Sequence, residues 1–263
     1  MRVIALKSGK RSKSLWLEFT IAAILMLIPA GVAVFFFYPS YYWFSGTGEI
    51  VSVQEIGVDG SVHFTYVNEG VVSNLYERIA IRQQMPDVEF EPADYDVDEE
   101  FQEFLDYGEV ARNETIFNAV LSADAAAEQH ATDEELDDRL EQLIWETSDY
   151  YGDSIGLMLA IGLAEEAAQT DFSQGGKYVI AGTGTLEEDF YVGSVGAIRN
   201  KLRTAENAGA DIFFVPKDYE TYFYEGISNE EEAIQVAEEL NLKLQVVPVE
   251  TLNEALTFLE NLE

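Results

Sequence analysis

Cysteine is missing from the chain altogether. That one absence excludes thiol nucleophiles, thiolate metal sites, disulfides and a lipid-modified cysteine. Histidine is nearly absent too, with only His63 and His130. His63 lies in the alternating run "SVHFTYV" and His130 in the polar junction "AEQHATDEE". Their spacing fits no metal motif, both read as structural or solvated side chains, and a Ser-His-Asp triad has little to be built from. Positive charge is the third scarcity: 15 Lys and Arg stand against 49 Asp and Glu, for a formal charge of −34. So acidic a surface repels polyphosphate, so nucleic acid is not an expected partner.

Five of the fifteen cations, Arg2, Lys7, Lys10, Arg11 and Lys13, precede an uncharged run, "FTIAAILMLIPAGVAVFFFY", from Phe19 to Tyr38. Its length matches a helix crossing a hydrocarbon core of ~30 Å. The basic flank, with Trp16 at one end and "YYWF" (Tyr41 to Phe44) at the other, predicts a cytoplasmic N-terminus and an extracellular remainder, anchored in the cell membrane by a single pass. A cleaved signal peptide is the rival reading; the run is long for an h-region, and "FFFYPSYYWF" offers no small-residue cleavage site. The expected organisation is a basic tail (1–18), a transmembrane helix (19–38), a juxtamembrane linker (39–47) and one folded domain (48–263).

That domain reads as α+β. "EIVSVQEIGV" and "SVHFTYV" flank Asp59-Gly60, a tight-turn signal, and predict a hairpin. The acidic stretch 87–106 reads as a solvated loop or short helix, and an EF-hand register through Asp94, Asp96 and Asp98 fails because Glu99 and Leu105 occupy the glycine and glutamate positions. Helices are expected over "NETIFNAVLSADAAAEQ" and, from the capping box Thr132 to Glu135, over "TDEELDDRLEQLIWETS". After the helix that follows Ser154 come a buried strand, a glycine-rich turn, a second strand, a helix from about Ala197 and a strand at Ile212 to Val215. Two more helices, opening at the capping signals Ser228 to Glu231 and Thr251 to Glu254, enclose the strand "KLQVVPV". The pattern is mixed, without a regular alternation of parallel units.

Phosphate-binding motifs fail on inspection. "GGK" at 175–177 has Asp171 where a P-loop needs glycine and Tyr178 where it needs a hydroxyl. Neither ATP nor any other cofactor or metal is expected. Ser154 lies at the first turn of an apolar helix, where free N–H groups converge, and suits a cap, a nucleophile or neither. Beyond the anchor the only lysines are Lys177, Lys201, Lys217 and Lys243. Lys201, near an apolar helix start, is either a solvated side chain or a base, because an amine removed from water loses its preference for the charged form.

The order of these residues adds a resemblance. "GDSIGLM" followed by "GTGTLEEDFYVGSVGAIRNK" resembles the proteolytic domain of the Lon family, which has a G-x-S-x-G serine and then a run like "TGEITLRGxVxPIGGLKEK". The match runs without gaps from Thr183 to Lys201. It implies a ribosomal protein S5 domain 2-like fold, with Ser154 as nucleophile, Lys201 as general base, Thr183 orienting the amine and the backbone N–H groups of Asp153 and Ser154 holding an oxyanion. Phe190, Ser194 and Ala197 stand where the family has glycine, proline and glycine.

The wider frame, with an anchor and no ATPase module, is similar to the membrane-anchored Lon-like proteases of Gram-positive bacteria. Ser45 to Glu109 is too short for the PDZ domain those proteins usually carry. The resemblance implies a serine endopeptidase acting without ATP on peptides or unfolded proteins, with a homo-oligomer possible by analogy to the family's rings. An inactive relative serving as an anchored binding module is the alternative, and Asp153 bears on the choice because a carboxylate beside the site favours the charged lysine.

Overall fold

The computed structural model describes residues 11–127, 131–217 and 227–262; His130 lies outside them. Helix α1 (Arg11–Phe37) contains Leu15–Phe37, 23 residues with a mean hydropathy of 2.5 and no part buried by the rest of the chain. At 1.5 Å per residue it is long and apolar enough to cross a membrane. The expected linker does not exist. Tyr38 alone separates α1 from strand β1 (Pro39–Ser52), so residues 39–47 are sheet. "YYWF" has the aromatic content of an interfacial belt and also of a strand, and it pairs on both edges.

Strand β1 runs antiparallel to β2 (His63–Asn74) and to the short edge strand β3 (Glu89–Pro92). Parallel strands β4 (Ile180–Gly182), β5 (Ile212–Pro216) and β6 (Gln245–Val249) complete a six-stranded mixed sheet in the order β3-β1-β2-β4-β5-β6. The β1–β2 hairpin is present, but its connection is longer than Asp59-Gly60. It holds a 3-10 turn over Val53–Ile56, capped by Ser52 and ended by Gly57 at φ 78°. Gly60 serves close approach instead, since a Cβ there would meet the Gly162 Cα at 2.9 Å.

Helix α2 (Leu75–Gln84) follows β2. Residues 97–106, read from sequence as loop or short helix, are the first turns of the 30-residue helix α3 (Val97–Ala126), with Asp98, Glu99 and Glu100 at its positive N-terminal end. Helix α4 (Asp133–Glu146) opens with the expected Thr132–Glu135 capping box, and α5 spans Gly156–Ala168. From Ile180 onward the chain does alternate, contrary to expectation: β4, α6 (Ile198–Asn207), β5, α7 (Asn229–Leu240), β6, then α8 (Leu252–Glu260). The strand expected between β4 and α6 is replaced by a 3-10 turn at Glu188–Phe190 and a single bridge, Tyr191 to Thr251.

Alternation along the central strands divides the core. Ile180, Ile212, Phe214 and Val247 face α3, α5 and α8, whereas Ala181, Phe213 and Val215 face α6 and α7. Helix α5 is apolar all round because it is covered all round; Leu157, Met158, Leu159 and Ile161 are wholly buried, at roughly 1.5–3 kcal/mol each. Its one buried carboxylate, Glu165, accepts from the N–H groups of Ser61 (2.6 Å) and Phe172 (2.7 Å) and from the Ser61 hydroxyl, which offsets its desolvation.

Candidate active site

The segment between α4 and α5 carries Ser154, and three neighbours fix its path. Arg112, the one basic residue of α3, is buried and donates to the carbonyls of Thr147 (3.2 Å), Ser148 (3.4 Å) and Tyr150. The Gly152 N–H donates to the Gly108 carbonyl at 3.1 Å, with Gly152 at φ 86°, a region that favours glycine. The Ser154 carbonyl accepts from the Gly184 N–H (3.1 Å) and the Thr183 hydroxyl (3.4 Å), tying the segment to the end of β4. Helix α5 begins two residues after Ser154 and its N-cap is Ile155, with no side-chain cap bond. Ser154 is therefore not the helix cap.

Lys201 comes to the same place from α6. It is 4 % exposed, and its Nζ donates to the Thr183 hydroxyl at 3.0 Å. Thr183 thus touches both the amine and the Ser154 backbone. No hydrogen bond joins Lys201 Nζ to the Ser154 hydroxyl directly, and that hydroxyl has no partner among the described residues. Both side chains line one cleft of about 720 Å³, walled by Tyr66, Glu69, Phe104, Tyr107, Tyr150 and Tyr151.

Burial drives the Lys201 amine down from 10.5 to about 8; Glu69 and then Asp153 push the other way. Desolvation outweighs two carboxylates here. Both acids are themselves displaced upward by burial, which the nearby amine partly opposes. Of the two N–H groups expected at an oxyanion site, that of Asp153 has no backbone partner among the described residues. The Ser154 N–H has no backbone partner among the described residues.

Glu69 and Arg112 escaped the sequence reading. Glu69 sits in β2 opposite Ser45 of β1, and Ser45 in turn accepts from Asn200 of α6 at 3.0 Å. A lone carboxylate inside "YVNEGVV" was its only signal, as a lone cation among the acids of α3 was for Arg112. His63, by contrast, is accounted for structurally, with Nδ1 3.2 Å from the Ile180 carbonyl oxygen.

Two of the three departures from the Lon-type motif coincide with unusual backbone. Phe190 has φ 69° and Ala197 φ 59°, both left-handed and both where that motif has glycine. Ala197→Gly, at the N-cap of α6, is expected to raise unfolding free energy by about 0.5–1 kcal/mol in a denaturant titration, relief of strain exceeding the greater entropy of unfolded glycine. The same exchange at Phe190 would also remove an apolar side chain packed on the core.

No protein-family model matches the chain, and no curated protein matches it.

Proposed function

We propose that the chain is a membrane-anchored serine endopeptidase of Lon-like type, using a Ser154–Lys201 dyad without ATP or metal. One observation carries the reading: a buried lysine amine, brought to about 8 by desolvation, shares a cleft with an unpartnered serine hydroxyl, and Thr183 bonds to both the amine and the Ser154 backbone carbonyl. The left-handed backbone at Phe190 and Ala197 supports the family resemblance from an independent direction.

In the proposed reaction the neutral Lys201 amine takes the Ser154 hydroxyl proton as Oγ bonds to a peptide carbonyl carbon. The carbonyl π pair moves onto oxygen, where the Ser154 N–H donates to it. The intermediate collapses, the C–N bond breaks, and the Lys201 ammonium protonates the departing amine. Water, deprotonated by the same amine, then cleaves the acyl ester and restores the serine. A rotation about the Ser154 Cα–Cβ bond is the kind of adjustment that catalytic contacts undergo when substrate arrives.

With the five N-terminal cations in the cytoplasm, the domain stands outside the cell. Strand β2 covers roughly 17 Å between Glu69, on the cleft wall, and Asn74, beside the end of α1. The substrates that fit are peptides and unfolded segments close to the membrane surface.

The test is covalent. A fluorophosphonate incubated with the full-length chain in detergent, without nucleotide, is expected to modify Ser154, read by mass spectrometry of the 149–158 peptide, and to leave Ser154→Ala unlabelled there. An adduct elsewhere, or none while an unfolded protein is captured intact, would instead identify an anchored binding module. A soluble variant should not start at Ser45, as that cut bisects β1.

A further inference from the structure

Helix α2 is the part of the domain that no core explains. None of its residues is buried, and Tyr76 and Ile79, at i and i+3 on one face, are 43 % and 37 % exposed. Yet its first turn is locked to the end of α1. The Leu75 N–H donates to the Tyr38 carbonyl at 3.2 Å, and Tyr76 stacks on Phe36 (centroids 4.5 Å apart) and meets Phe35 edge-on at 5.7 Å. With Tyr38 alone between α1 and β1, the domain has no flexible segment by which to swing away.

The charge on α2 is equally distinct. In a chain of net charge −34, Arg139, Arg199 and Arg203 each pair with a carboxylate and Arg112 is buried on carbonyls. Arg78 and Arg82 form no ion pair with a described residue. Arg78 lies 3.8 Å over the Tyr42 ring, and Arg82 lies 5.2 Å from the Phe90 centroid. Ring stacking leaves the guanidinium edges, with their N–H donors, open to an oxyanion partner such as a phosphate.

We infer that α2 lies in the phospholipid headgroup layer around α1, Tyr76 and Ile79 entering the boundary with the acyl chains and Arg78 and Arg82 meeting lipid phosphates. This rests on α1 spanning the bilayer. The arrangement has the chemistry of an interfacial helix, apolar and aromatic on one side and cationic beside it. It makes the membrane a second support for the sheet, fixing the tilt of β1 and β2 over the bilayer.

Because the chain lacks cysteine, single labels test the idea cleanly. The full chain carrying Ile24→Cys, Ile79→Cys or Thr257→Cys, each bearing an environment-sensitive dye, is reconstituted in phosphatidylcholine–phosphatidylglycerol vesicles with nitroxide lipids. Ile24 is expected to be quenched by deep nitroxides, Ile79 by shallow ones, and Thr257, exposed on α8, which packs on α5 and on β6 at the opposite end of the sheet from β3, by neither. Quenching at position 24 with position 79 behaving like 257 would overturn the inference and leave the anchor standing. No quenching at 24 would remove the anchor and the inference together. Adding Arg78→Gln and Arg82→Gln should cut the quenching at 79 at least twofold; unchanged quenching would refute the phosphate contacts.

Discussion

Lys201→Met is expected to lower kcat/KM for peptide hydrolysis by about a hundred- to ten-thousandfold while leaving the chain folded. Methionine has nearly the length of lysine and no charge to desolvate, so the buried site is filled and relieved of its ionisable group. What is lost is the proposed base, and general bases contribute roughly 10²–10⁴-fold. In the parent chain activity should climb with pH and level off above about 8, as the amine loses its proton. At pH 7 only about a tenth of the molecules would hold it neutral. Glu69→Gln removes the larger of the two carboxylate influences that raise this amine, so the rise should move to lower pH. Stability follows the same group with a definite sign. Its folded value lies below the ordinary 10.5, so between about 8 and 10.5 the unfolded chain binds the proton more tightly, and stability increases with pH across that window. Lys201→Met should abolish that part of the pH dependence. A methionine variant that hydrolyses peptide normally, or a parent profile flat from pH 6 to 9, would sink the dyad.

What could be read in advance divides along physical lines. Ser154, Thr183 and Lys201 were singled out by their order, Thr183 and Lys201 within one gapless run and Ser154 ahead of it; Ser154 and Lys201 line one cleft, and Thr183 bonds to the Lys201 amine and the Ser154 carbonyl. Glu69 was not, because it reaches Lys201 through the Ser45–Glu69 register of β1 on β2, a pairing no local window contains. Glycine was the most ambiguous letter. Asp59-Gly60 looked like a turn, yet the left-handed residue is Gly57, and Gly60 is small so that α5 can pass at Gly162. Tyr41 to Phe44 and the acids of 98–103 were misread for a related reason. Aromatics suit both interfaces and strands, and carboxylates suit both loops and the exposed first turns of a helix. Capping boxes fared better, as at Thr132–Glu135, because the whole contact lies within four residues.

Gly156→Ala should be strongly destabilising, by about 2–6 kcal/mol in urea unfolding. In an ordinary helix the exchange would stabilise by roughly 0.5–1 kcal/mol. Here the added Cβ would fall on the Thr115 hydroxyl and the Leu186 N–H. Those groups are bonded to each other: the Leu186 N–H donates to Thr115 Oγ1 at 2.7 Å, and that hydroxyl is 3.4 Å from the Leu186 carbonyl oxygen. Both are buried, so separating them costs about 1–3 kcal/mol for unmet polar groups, and forcing α5 away from α3 adds about 1–3 kcal/mol of overpacking. Gly196→Ala is the control, having no atom within 4 Å of the new Cβ, and should leave the midpoint nearly unchanged. Thr115→Ala should cost much less in the Gly156→Ala background than in the parent, since the same hydrogen bond can be broken only once. Because Ser154 lies two residues before Gly156 and its carbonyl is held by Gly184 and Thr183, the displacement passes directly to Ser154, the proposed nucleophile. Any folded Gly156→Ala protein should therefore lose hydrolysis at temperatures where it remains fully native; full activity with an unshifted midpoint would show that the α3–α5 contact does not set the position of Ser154.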